Sequence, residues 1–245
     1  MFIQTTIKQF DLLSSNEQEN DGIVLDESNN SKNLSEISQS NRISSVCDAF
    51  KSNIKLSEEE IIIQSKDLNA VGIDEVGYGS WAGPVVVCAL QFEKVPHIQF
   101  FDSKTLSAKR RVELRDEIIK IAKWEIGIGT IEEINEFGLA YAYKKAIERA
   151  VQPFLQFPLF MDGRAPKFLK CHAIVKGDQK IQVISAASIV AKVFRDELMN
   201  NLEDSNKYDW QNNKGYGTAR HIELLKKYGF SKMHRVVYNL SKYLA

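Results

Sequence analysis

The sequence predicts an α/β chain with one mixed sheet flanked by helices and a helical region at its C-terminal end. Three observations carry this reading. Short apolar strand-like runs cluster soon after residue 67, amphipathic helical stretches then alternate with further short strands, and the composition changes abruptly at that same point.

The first 66 residues hold six basic and eleven acidic side chains, are rich in Ser and Asn, and contain one glycine, Gly22. Such a segment buries too little apolar surface to offset its chain entropy. Residues 1–66 are therefore expected to form a polar, acidic and mostly disordered extension, with short helices near Phe50 and around Glu58–Ile63. From residue 67 to 245 the texture is that of a folded domain. Val71–Val76 reads as a short strand and Pro84–Leu90 as a buried one, joined as a hairpin by a glycine-rich tip. Ser107 can cap a helix running to about Lys123, because Leu114, Ile118 and Ile121 recur on one face. Trp124–Thr130 alternates like a strand, and Ala140–Val151 is helical up to Pro153. Leu159–Met161 and Ala173–Val175 are further short strands. Ala186–Asn200 is a helix with Ile189, Val190, Val193 and Leu198 as its apolar positions. Thr218–Tyr228 is a last, basic helix that Gly229 terminates.

The whole chain has 245 residues and 32 basic against 32 acidic side chains. No run approaches the roughly 18 apolar residues of a membrane helix, and residues 1–30 lack the basic and then apolar stretches of a signal peptide, so secretion is not expected. Three dispersed cysteines, Cys47, Cys88 and Cys171, give little support to a disulfide framework or a zinc site. A reducing, cytoplasmic setting with no membrane partner is expected. Zero net charge argues against a nucleic-acid partner only if the charges are evenly mixed. They are not: the extension carries −5 and the remainder, with 26 basic and 21 acidic residues, carries +5.

The hairpin tip Gly77-Tyr78-Gly79-Ser80-Trp81-Ala82-Gly83 contains G-x-G-x-x-A, the pattern of a dinucleotide-binding turn. That turn must open a helix, whereas Pro84-Val85-Val86-Val87 is strand chemistry. The glycines serve either a permissive loop or the close approach of a sugar-phosphate to backbone donors. The carboxylates are more informative. Asp74 and Glu75 lie in an apolar strand, where adjacent residues face opposite sides, so a central strand leaves at least one of them under cover. Asp162 ends another strand and Asp178 follows a third. Each reads equally well as a turn residue, since Asp-Gly and Gly-Asp are common turn pairs. Should the four converge, their repulsion calls for a cation, and oxygen-only ligands suit Mg²⁺ or Mn²⁺.

The ordered series Val71-Gly72-Ile73-Asp74-Glu75-Val76-Gly77-Tyr78-Gly79 with Ala82-Gly83-Pro84, Asp102-Ser103-Lys104 with Leu106-Ser107, and Lys176-Gly177-Asp178 resembles the ribonuclease HII family. Ser185–Lys192 with Arg195-Asp196, Gly215-Tyr216-Gly217-Thr218 with His221, and His234-Arg235 continue the match over roughly 70–238. The resemblance implies a ribonuclease H-like fold in a catalytic domain at 67–245. It also implies an endonuclease that hydrolyses the RNA strand of RNA/DNA hybrids and incises ribonucleotide-containing DNA duplexes 5′ of the ribonucleotide, leaving 3′-hydroxyl and 5′-phosphate ends. Its metal-binding and catalytic carboxylates would be Asp74, Glu75, Asp162 and Asp178, holding two Mg²⁺ or Mn²⁺ ions, one activating water and the other stabilising the leaving oxygen. Asp196 reads as a scaffold or ion-pair residue. Asp178, where the related ribonuclease HIII usually has Glu, and the polar extension both favour ribonuclease HII.

Gly77, Tyr78, Gly79 and Tyr216 would meet the ribose and its neighbour at the RNA–DNA junction, where the 2′-hydroxyl marks RNA. Lys104, Lys176 and Lys192 are candidate phosphate contacts, at least one of which is expected to be an ordinary surface lysine. Arg220, His221, Lys226, Lys227, His234 and Arg235 would spread positive charge along the hybrid. One departure stands out: the middle residue of the glycine loop is usually Arg or Lys in the family and is Tyr78 here. That predicts impaired incision at an isolated ribonucleotide. It also leaves open a catalytically weakened hybrid-binding protein of the same fold. A junction resolvase fits the paired Asp74-Glu75 and the Lys176-Gly177-Asp178 block poorly. The expected oligomeric state is a monomer.

Overall fold

A computed structural model describes residues 57, 59–61, 65–98, 100 and 106–243. The helix expected near Phe50, most of the acidic extension, Cys47 and Lys104 lie outside the described residues. Of the helix expected around Glu58–Ile63, residues 59–61 are described and helical, and Ile61 is buried in the core.

Five strands form one sheet in the order β3-β2-β1-β4-β5. Strand β1 (Val71–Val76) pairs antiparallel with β2 (Val85–Phe92), and β2 antiparallel with β3 (Ala122–Gly129). On its other side β1 pairs in parallel with β4 (Leu159–Asp162), which pairs in parallel with β5 (His172–Ile174). The mixed sheet expected from the sequence is thus present, with β1 at its centre.

Strand alternation divides the core into two layers. Cys88, Leu90, Phe92 and Phe160 pack on one face with the helices Ala108–Ile118 and Gln182–Asn201. Val71, Ile73, Val85, Val87, Leu159 and Met161 pack on the other against Ala142, Ala146, Ile147 and Ala150 of the helix Leu139–Val151. Small side chains every four residues on that helix let its backbone lie close to β3.

The helices are α1 (Ala108–Ile118), α2 (Ile131–Phe137), α3 (Leu139–Val151), the single turn α4 (Gly177–Lys180), α5 (Gln182–Asn201), the single turn α6 (Trp210–Asn213) and α7 (Ala219–Tyr228). Ser107 caps α1 as expected, its side chain accepting the Arg110 amide. The helix stops at Ile118 rather than near Lys123, because β2 extends to Phe92 and recruits Ala122 and Lys123 as its partners. Periodicity does not mark helix α2, which is only seven residues long. Its start is nevertheless written locally: the Thr130 side chain accepts the Glu133 amide while the Glu133 carboxylate accepts the Thr130 amide. Helix α5 begins at Gln182, one turn before the expected Ala186. It is buried along most of its length, so polar alternation does not mark its first turn. No described helix is long and apolar enough to cross a membrane. Cys88 and Cys171 are free thiols.

Candidate active site

The C-terminal end of β1 opens into a cavity of about 500 Å³ lined by Asp74, Glu75, Val76, Gly77, Tyr78, Gly79, Arg111, Asp162, Ser188, Lys192 and Tyr216. Asp74 and Glu75 leave the strand toward opposite layers. Asp74, only 6% exposed, faces α5, and its carboxylate accepts a bond from Ser188 and, at 2.8 Å, from the Glu75 amide. Glu75 points toward α3, where the Tyr143 hydroxyl lies 3.5 Å from its Oε2. Both reach the same cavity because the strand ends there. Asp162 enters from the parallel neighbour β4, and its Oδ1 accepts the Gly177 amide at 2.6 Å.

The electrostatics follow from crowding. Burial, then the charge of Glu75, then that of Asp162, push the Asp74 carboxyl well above the ordinary carboxylate range, against the opposing bonds from Ser188 and the Glu75 amide. Burial beside Glu75 and Asp74 likewise drives the Tyr143 hydroxyl upward, so it remains a proton donor.

Asp178 is 2% exposed in the first turn of α4 and does not line the cavity. It follows the Gly177 amide that binds Asp162. Lys176 is exposed, adopts a left-handed backbone (φ 59°) and also lies off the cavity wall. Lys192 lines the cavity and pairs with Asp196 at 2.7 Å, the ion pair expected of Asp196. Tyr216 lines it too, its ring 5.5 Å from the Arg195 guanidinium carbon.

The glycine loop does not open a helix; it runs into β2, which removes the dinucleotide-binding pattern as an explanation. Gly77 has φ 85°, and a Cβ there would collide with the Arg195 side chain. Arg195 and Arg235, both fully buried, hold the loop by its carbonyls. Arg195 donates to Pro84 O, Ala82 O, Lys214 O and Ser80 Oγ, and Arg235 donates to Gly77 O, Tyr78 O and Gly83 O.

The expected basic track is corrected in part. Arg220, Lys226 and Lys227 are exposed on α7, and Arg220 pairs with Glu223. His221, His234 and Arg235 are buried, so they present no charge at the surface. Burial pushes both imidazoles downward, that of His234 to about 4. Arg111 and Ser188 are cavity residues to which sequence reasoning assigned no role. Ser188 stood within a quoted motif, and Arg111 sits in the first turn after the Ser107 cap.

Among the described residues no three His, Cys, Asp or Glu side chains form a ready-made metal cage. The donor set nevertheless suits a hard dication. Asp74, Glu75 and Asp162 offer oxygen alone, the charges of Glu75 and Asp162 both raise the Asp74 carboxyl, and Mg²⁺ characteristically keeps waters and substrate phosphate in its shell rather than filling it with protein.

An antiparallel trio joined to a parallel pair, with acidic residues gathered at the end of the central strand, makes this a mixed-sheet α/β protein with a carboxylate-lined site of the kind suited to metal-assisted hydrolysis. The ribonuclease HII family model matches residues 71–241. Ribonuclease HII of Ehrlichia chaffeensis is 40% identical over 188 residues, covering 73% of this chain and 90% of that protein. The Pelagibacter ubique enzyme is 39% identical over 175 residues, covering 69% and 94%. Among solved structures, ribonuclease HII in its complex with PCNA from Archaeoglobus fulgidus has a TM-score of 0.57 at 25% identity, covering 70% of this chain and 96% of that one. A Bst ribonuclease HIII in complex with Mn²⁺, at 19% identity and TM-score 0.59, covers 79% and 75% and shares the fold. The chain belongs to the ribonuclease HII family, whose members are metal-dependent endonucleases acting on RNA/DNA hybrids.

Proposed function

We propose that this chain hydrolyses the RNA strand of RNA/DNA hybrids and incises DNA 5′ of embedded ribonucleotides, leaving 3′-hydroxyl and 5′-phosphate ends. The observation that carries this reading is the meeting of Asp74, Glu75 and Asp162 with the Gly77-Tyr78-Gly79 loop and Tyr216 around one cavity. Asp74, Glu75, Asp162 and Asp178 would hold two Mg²⁺ or Mn²⁺ ions, which supply water activation and stabilisation of the leaving 3′-oxygen.

The chain's own groups do the positioning. Ser188 and the Glu75 amide fix the orientation of Asp74, and the Tyr143 hydroxyl steadies Glu75 from the opposite layer. The Gly177 amide fixes Asp162 and brings the Asp178 turn against it. Arg111 and Lys192 place positive charge on the wall where a phosphate backbone would enter. Gly79 has open space where a Cβ would stand, leaving room for a ribose to approach the backbone. The acidic stretch before Asp67 is read as an extension to the 67–245 catalytic domain.

Tyr78 favours a second reading, a hybrid binder with weakened catalysis, because the loop offers a ring where its relatives' pattern offers a cation. Incubating the purified chain with a labelled RNA/DNA hybrid and a duplex carrying one ribonucleotide, with Mg²⁺, Mn²⁺ or EDTA, separates the two. Metal-dependent cleavage supports the enzyme; binding without cleavage in either metal overturns it.

A further inference from the structure

Behind the cavity, residues 231–235 bond the glycine loop directly and reach the Tyr216 turn through His221. His234 Nδ1 accepts the Ser231 amide at 3.0 Å, so that nitrogen bears a lone pair and a neutral His234 carries its proton on Nε2. The Nε2 of His221 lies 3.1 Å away and must therefore accept. His221 then carries its own proton on Nδ1, which donates to the Tyr216 carbonyl at 3.0 Å. One pair of tautomers satisfies all three contacts. Burial, which holds both rings neutral, agrees with it.

The adjoining residue grips the other wall. Arg235 donates from Nη2 to Gly77 O at 2.7 Å, from Nη1 to Tyr78 O at 2.8 Å and from Nε to Gly83 O at 2.8 Å. The backbones interlock as well: the Gly83 amide donates to Met233 O at 2.9 Å, and the Arg235 amide to Trp81 O at 2.8 Å. Arg235 thus holds the glycine loop directly while its neighbour His234 reaches the Tyr216 turn through His221, beside the direct bonds from the Trp81 and Ala82 amides to Gly215 O at 2.8 and 3.2 Å.

We propose that residues 231–235 act as a buckle setting the span between the Gly77-Tyr78-Gly79 loop and Tyr216, with His221 and His234 as positioning residues for recognition of the RNA-to-DNA step. The proposal rests on the function proposed above. It assigns the imidazoles no contact with substrate and no part in proton transfer; they act through the Tyr216 carbonyl. A buried bond of this kind is worth about tenfold in a rate that depends on it.

The test compares kcat/KM on a single-ribonucleotide duplex with that on an all-RNA/DNA hybrid. His221→Leu removes the donor to Tyr216 and should lower the ratio about tenfold. His221→Asn keeps an N–H near the Nδ1 position and should recover most of it. In a Tyr216→Ala background His221→Leu should add nothing, because His221 bonds the Tyr216 backbone and acts only by placing the ring that Tyr216→Ala has already removed. Equal losses on both substrates, equal behaviour of Leu and Asn, or additive losses would overturn the buckle. Should His221→Leu fail to fold, ¹⁵N imidazole spectra of the wild-type chain decide instead. The proton is expected on Nδ1 of His221 and on Nε2 of His234, and the opposite tautomers overturn the proposal. A wild-type chain that cleaves neither substrate would overturn the catalytic reading alone, since the tautomer measurement needs no substrate.

Discussion

Tyr78 stands edge-on against Tyr143, their ring centroids 5.1 Å apart at an interplanar angle of 80°. Tyr143 in turn approaches Glu75, so the substituted loop position is coupled through an aromatic pair to a candidate metal ligand. The loop backbone does not depend on the Tyr78 side chain, because Arg235 and the Tyr238 hydroxyl hold its carbonyl. Tyr78→Arg should therefore fold normally. It should raise incision at a single ribonucleotide relative to hybrid cleavage several-fold, since a charge-assisted contact to phosphate is worth roughly twice a neutral one. Rates on the two substrates for wild type and Tyr78→Arg check this; an unchanged ratio removes Tyr78 from substrate discrimination.

Asp74→Asn separates chemistry from folding. Cleavage should fall at least about a hundredfold, as expected for loss of a metal ligand, while hybrid binding stays measurable. Stability should move the other way. The raised pKa of Asp74 means that the fold favours its protonated form: the stabilisation is full below the unfolded-state pKa and is lost as pH climbs through the folded-state value. Asparagine imitates the protonated form at every pH. The metal-free variant should melt above metal-free wild type near neutral pH, with the gap closing as pH falls to about 4. Thermal melts in EDTA across that range check the sign. A variant less stable than wild type at neutral pH would show that the Asp74 charge is compensated in the fold.

Of two glycines in β1 and its loop, one should be intolerant of alanine and the other indifferent to it. A Cβ at Gly72 would strike the Val183 carbonyl and the Ile184 amide, so α5 lies directly on the strand there. Gly72→Ala should cost about 3 kcal/mol by overpacking. Gly79 has nothing within 4 Å of the same position, and Gly79→Ala should change stability by less than about 0.5 kcal/mol. Any loss of hybrid cleavage in Gly79→Ala therefore reports on the approach of the substrate backbone. Urea unfolding and cleavage rates on the same preparations distinguish these effects.

Strand β1 and the carboxylates at its end were legible because charge in an apolar strand violates the pattern around it, and a violation is visible in one dimension. The sheet was legible for the same reason, through period and run length. The sequence places His221, His234 and Arg235 in a basic track and the fold buries them, because residue type states a charge in water and not the burial that decides whether the charge is presented. His234 is recognisable as a core residue only when Ser231 and His221 are beside it. Arg111 belongs to a helix whose apolar positions point elsewhere, so only the cavity reveals it. Asp178 shows the reverse limit: its motif was clear, yet its place beneath the Asp162 turn required the left-handed backbone at Lys176.

Arg195 gives the sharpest test of how the site is held. Its guanidinium is fully buried, and its hydrogen bonds go to Pro84 O at 3.0 Å, Lys214 O at 2.9 Å, Ser80 Oγ at 2.8 Å and Ala82 O at 3.2 Å. All four acceptors are neutral, and burial lowers the pKa of the guanidinium. A lysine at this place keeps the charge but cannot reproduce the planar fork, and it leaves buried carbonyls without donors. Arg195→Lys should lose about 3 kcal/mol of stability, the expected cost of one or two such buried groups left unsatisfied. Because the acceptors are dipoles rather than carboxylates, that loss should be nearly the same at low and high salt. Urea unfolding of both proteins at two ionic strengths checks it. A lysine variant as stable as wild type would mean that charge, and not the fork, anchors the glycine loop.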